Sequence, residues 1–96
     1  MKRLQFEWDE NKNRINILKH GISFEEARSV FLDDQAIMFD DPEHSYNEER
    51  FILLGLSSYG NVCIVCHCYR HSDTVIRIIS ARKASTKEEN RYVRGI

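Results

Sequence analysis

The sequence predicts an α+β domain, and three observations carry the prediction. Two helical segments near the N-terminus are joined by a glycine stop and a serine cap. A run of short strand candidates follows, separated by tight turns, and the chain closes on one more capped helix. The first element is Arg3–Trp8, where Leu4, Phe6 and Trp8 alternate with Arg3, Gln5 and Glu7 in the period of a half-buried strand. Asp9 can cap a helix running to about Lys19, with Ile15 and Leu18 expected on its apolar face. His20 and Gly21 end it, the glycine supplying the left-handed conformation of a helix stop.

Ser23 and Glu26 read as a capping box that opens a second helix, with Phe24, Ala27, Arg28 and Phe31 on neighbouring turns and a stop near Asp33 and Asp34. The period then changes. Ala36–Phe39 is a short strand candidate, 40–42 a turn, and Glu43–Glu49 a polar loop or single helical turn. Phe51–Ser58, Val62–Tyr69 and Thr74–Ala81 are three strands of an antiparallel meander, joined at 59–61 and 71–73. In the last of them Val75, Arg77, Ile79 and Ala81 are expected to face one way and Ile76, Ile78, Ser80 and Arg82 the other. Ser85 and Glu88 form a second capping box before a short C-terminal helix carrying Tyr92 and Val93.

The chain is 96 residues long, 42% hydrophobic and 30% charged, which fits one small core, so a single domain over residues 1–96 is expected. No apolar run approaches the ~18 residues of a membrane span. The first ten residues reach acidic side chains at once and lack a secretory h-region, so a cytoplasmic location is expected. The net charge of −1 hides an asymmetry: residues 1–69 carry seven Lys or Arg against twelve acids, and residues 70–96 carry seven against three. A basic C-terminal third is compatible with a phosphate-contacting surface and equally with a solvated helix.

Cys63, Cys66 and Cys68 match a C-x-x-C-H pattern, but they fall in an apolar, β-branched strand where Cys63 and Cys66 point to opposite faces. A structural zinc site needs four ligands, and no second cysteine pair exists. The cysteines are therefore read as small hydrophobes, and neither a metal nor another cofactor is expected. No nucleophile elbow, P-loop or dinucleotide fingerprint is present. Arg82 and Lys83 end the last strand just before a helix N-terminus, a place suited to an anion. Arg82 calls for an anionic partner, either a ligand or a carboxylate such as Glu49 or Glu89. Arg50 opens the third strand, and His67, within the fourth, can move a proton if it faces a cleft. His44 could serve as a base, but it sits among polar loop residues and is assigned no role.

Phe6–Asp9, Lys12, Asn16, Lys19–Gly21, Phe24–Ala27, Asp41–His44, Glu49–Phe51 and Ile76–Ala84 together resemble the BrnT family of bacterial type II toxins. The similarity runs from about residue 4 to residue 92, and Ile76–Ala84 is its most specific block. The resemblance implies a RelE-like fold, with an N-terminal strand and two helices packed on a small antiparallel sheet. It also implies a growth-inhibiting endoribonuclease that cleaves RNA without a metal, the 2′-hydroxyl attacking the adjacent phosphate. On that basis Arg77 and Arg82, with Arg50 third, are expected to hold the phosphorane, and His67 to act as acid or base. Lys19, His20 and Lys83 are expected to bind backbone phosphates. The implied partner is a DNA-binding BrnA-type antitoxin, in a 2:2 complex through which alone the toxin meets operator DNA. A non-catalytic module that binds a partner and tunes operon repression is the alternative reading.

Overall fold

The computed structural model of the chain describes residues 4–95. In order, it contains β1 (Gln5–Glu7), α1 (Glu10–His20), α2 (Phe24–Val30), β2 (Ile37–Asp40), a 3₁₀ turn (Pro42–His44), β3 (Phe51–Leu56), β4 (Val62–Arg70), β5 (Val75–Lys83) and α3 (Thr86–Arg94). The five strands form one sheet in the order β1-β5-β4-β3-β2. β2 to β5 run antiparallel, as the meander predicts, while β1 adds to β5 in parallel, with Phe6 opposite Ile76. The sheet is thus mixed, because α1 and α2 carry the chain across one face before the meander begins. Among the described residues no helix is long and apolar enough to cross a membrane. Of the first expected strand, Arg3 lies outside the described residues.

One face of the sheet is closed by α1 and α2. Ile22, Phe24, Ala27 and Val30 pack on Leu53, Cys63, Val65, Ile78 and Ala81, all buried, with Phe6, Trp8, Phe31 and Ala36 at the margin. Burial of this apolar set is the main force holding the helices to the sheet. Gly55 marks the closest approach: a Cβ there would stand 2.9 Å from both Ala36 Cβ and Val30 Cγ1.

Three local expectations are corrected. First, α1 does not face the core with Ile15 and Leu18, which are 54% and 86% exposed. Its inward residues are Asn13 and Asn16. Asn16 Nδ2 donates to the carbonyls of Ile22 and Ala81, and its Oδ1 accepts the Ala81 amide. Asn13 Oδ1 accepts the amide of Phe24. The seam between α1 and β5 is therefore fastened by hydrogen bonds from the Asn16 side chain to the backbone. Second, Ser23 caps α2 by accepting from the Glu26 amide, but Glu26 does not reach back. Its carboxylate instead accepts from Ser57 Oγ and Asn61 Nδ2, fastening α2 to the β3–β4 turn. The box at Ser85 and Glu88 is complete.

Third, the faces of β5 do not alternate as expected. Cys66 pairs with Ser80 but His67 with Ile78, so Ile79 is an extra residue. This bulge re-phases the strand and lets Ile78 and Ala81 share the core. It also brings Arg77 and Arg82 to the same, second face of the sheet.

Candidate functional site

The second face carries Leu54, Ile64, Cys66 and Cys68 along β3 and β4, by alternation with Leu53, Val65 and the rest of the core. α3 meets β3, and the Arg91 guanidinium lies over the Phe39 ring, 4.6 Å from its centroid. The remainder of the face is bordered by the 41–50 segment and by charged side chains.

Three of the expected cations sit here, in different surroundings. Arg82 forms a forked pair with Glu88, Nη1 to Oε1 at 2.8 Å and Nη2 to Oε2 at 2.9 Å. The anion that Arg82 requires is thus neither Glu49 nor Glu89 but the capping-box glutamate itself. Hydrogen bonding from Arg82 holds the Glu88 carboxyl down at about 2 against burial, and the Glu88 hydrogen bond raises the Arg82 value. Arg77 Nη1 lies 2.8 Å from Glu7, across the parallel β1–β5 pair. Arg70 continues this line of charge, 3.9 Å from Glu7 and 3.2 Å from Glu48.

Arg50 differs. It is half-buried, makes no ion pair among the described residues, and its Nε is buried with no hydrogen-bond partner there. With His44, Tyr46, Asn47 and Glu48 it lines a cleft of about 190 Å³. Register sets the spacing of the cations. Phe51 stands opposite His67, which puts Arg50 level with Cys68, and Cys68 is paired with Arg77. Arg50 and Arg77 therefore share one cross-strand row, whereas Arg82 is opposite Ile64, four residues further along β4. At ~3.3 Å per residue that is on the order of 13 Å along the strand. The backbones of Arg50 and Arg82 are thus well separated along the sheet.

His67 is on the other side of the sheet and fully buried. Its ring packs edge-on to Phe31 at 4.8 Å and Tyr69 at 5.5 Å, with Phe51 at 6.1 Å. Nδ1 lies 3.3 Å from the Val65 carbonyl, Nε2 has no hydrogen-bond partner among the described residues, and burial lowers the basicity of the ring. Lys19, His20 and Lys83 are exposed at a third location. Asn16 grips Ala81, one turn before the end of α1 and two residues before Lys83, so these three belong to the helix-covered side. The structure thus joins Arg50 with Arg77 along one row and separates both from His67 and from the lysines.

Sequence reasoning considered His44 as a base and set it aside. Its Nδ1 lies 3.1 and 3.0 Å from the two carboxylate oxygens of Asp41. The signal was the i, i+3 spacing on either side of Pro42, because a 3₁₀ turn eclipses those positions. Cys66 Sγ donates to the same carboxylate at 3.8 Å. Burial first, then the Asp41 charge, pushes the Cys66 thiol up to about 11, and burial does the same for Cys63. Neither is a thiolate at neutral pH. Among the described residues no group of three or more His, Cys, Asp or Glu is arranged to hold a metal ion.

The family model described as the ribonuclease toxin BrnT of type II toxin–antitoxin systems matches residues 8–88. In structure the chain is similar to the 1.1 Å crystal structure of the Brucella abortus ribonuclease toxin BrnT. The TM-score is 0.67 at 23% identity, covering 88% of this chain and 100% of that one, which is a likeness of fold. No curated protein matches the chain by sequence.

Proposed function

The chain belongs to the BrnT family of ribonuclease toxins of type II toxin–antitoxin systems, and on that premise we propose that it cleaves RNA by attack of a 2′-hydroxyl on the adjacent phosphate, with Arg50 as the cation that meets the developing charge. The observation that carries this reading is the state of Arg50: a half-buried arginine lining a cleft, with no carboxylate within ion-pair distance among the described residues. A pre-placed cation of that kind stabilises a phosphorane more than the ground-state diester, because charge accumulates on the non-bridging oxygens as the 2′-oxygen bonds to phosphorus. Such a route needs no metal ion.

Arg77, in the same row but paired with Glu7, is proposed to guide a neighbouring phosphate. Lys19, His20 and Lys83 would contact only RNA that wraps round to the helix side. Arg82 is proposed to act structurally, through Glu88. The type II character of the family implies a protein antitoxin. We take it to be a BrnA-type DNA-binding protein, bound 2:2 and linking the toxin to its operator, with growth inhibition following when it is absent.

The test is to incubate the purified chain with a defined single-stranded RNA, with and without a chelator, and to identify the new ends. The expected products carry 2′,3′-cyclic phosphate and 5′-hydroxyl ends and form equally well with the chelator. Products with 5′-phosphate ends, or cleavage abolished by chelation, would contradict the mechanism.

A further inference from the structure

Resting on the ribonuclease reading, we propose that His44 is the proton carrier of the reaction and that Asp41 is its positioning residue. An ionised carboxylate only accepts hydrogen bonds, so the two short contacts from Asp41 require the hydrogen of the neutral imidazole to sit on Nδ1. That leaves Nε2, on the far edge of the ring, with a free lone pair. The Asp41 side chain is 10% exposed and that of His44 60%, so a buried anchor holds an accessible base.

The anchor is itself fixed. The Asp41 amide donates to the Arg50 carbonyl at 2.9 Å. Ser45 Oγ donates to the Asp41 carbonyl at 2.7 Å and accepts the Arg50 amide at 3.0 Å. The turn bearing the pair is therefore tied directly to the residue proposed to hold the phosphate, and His44 and Arg50 line the same cleft. Of the other histidines, His67 is fully buried, and neither His20 nor His71 has a carboxylate within ion-pair distance among the described residues.

In the step so assigned, His44 Nε2 takes the proton of the 2′-hydroxyl as the 2′-oxygen bonds to phosphorus. The bond from phosphorus to the 5′-oxygen breaks, and water supplies the proton to that oxygen. The imidazolium then returns its proton to solvent. General base catalysis of this kind contributes ~10²–10⁴-fold.

The test compares wild type, His44→Ala and Asp41→Asn on an RNA that wild type cleaves, with thermal unfolding of each to confirm folding. The proposal expects His44→Ala to lose at least ~100-fold in kcat, with partial recovery in added imidazole. It expects Asp41→Asn to lower kcat with little change in KM, and nitrogen NMR of wild type to find the His44 hydrogen on Nδ1, with that preference lost in Asp41→Asn. A folded His44→Ala that keeps activity within ~3-fold, or a wild-type His44 protonated on Nε2, overturns the proposal. Failure of wild type to cleave any RNA instead overturns the ribonuclease reading on which it rests.

Discussion

Arg50, Arg82 and His67 share chemistry that suits RNA cleavage, and their neighbours decide what each does. Arg82 is committed to Glu88 and, through it, to the cap of α3. Partly exposed pairs contribute ~0.2–1 kcal/mol, so Arg82→Ala is expected to cost stability of that order. His67 is locked among three aromatic rings, where burial disfavours its charged form. The unfolded chain therefore takes up the proton first on acidification. Stability linked to His67 is complete above the ordinary imidazole value of 6.5 and falls as pH drops below it. His67→Phe is expected to flatten the fall in urea midpoint between about pH 7.5 and 5.5, a window bracketing that ordinary value. An unchanged slope would mean that other groups govern it. A histidine letter in a strand gives no hint of which face it takes, and that face separates a core residue from a catalytic one.

At the scale of elements, the helix–helix corner and the meander were legible because Gly21, Ser23, Ser85 and the strand-bounding turns act locally, through backbone conformation and capping. The orientation of α1 was not. Apolar periodicity assumes that a helix turns its hydrophobic side inward, whereas here two asparagines face in and bond to the backbone at Ile22, Phe24 and Ala81. Asn16→Leu leaves the Ala81 amide and the two carbonyls without that partner. Buried groups stranded in this way cost about 1–3 kcal/mol each. We expect a total loss of at least ~3 kcal/mol by urea unfolding, while Leu18→Ser, at an exposed position, stays within ~0.5 kcal/mol. The reverse order would return α1 to the apolar orientation. The bulge at Ile79 escaped notice for a related reason: one inserted residue reverses the faces of everything after it, and the sequence alternates plausibly in either phase.

On the scale of the whole molecule, the sheet divides the work. One face is sealed by α1 and α2 over an apolar core, and the other carries a row of charge from Glu7 and Arg77 to Arg50 and the His44–Asp41 turn. The fold class followed from element order, which is local information. The site did not, because β1, β3, β5 and the 41–50 segment come together only through sheet pairing, and a linear reading ranks cations by motif rather than by whether a carboxylate already holds them. The measurement that bears most directly on the account is kcat/KM for RNA cleavage by Arg50→Ala and Arg82→Ala, both verified as folded. The expected result is a loss of ~10²–10³-fold for Arg50→Ala, the magnitude of a lost transition-state donor, and near wild-type activity for Arg82→Ala. An active Arg50→Ala beside an inactive, folded Arg82→Ala would contradict it and move the site to the start of α3.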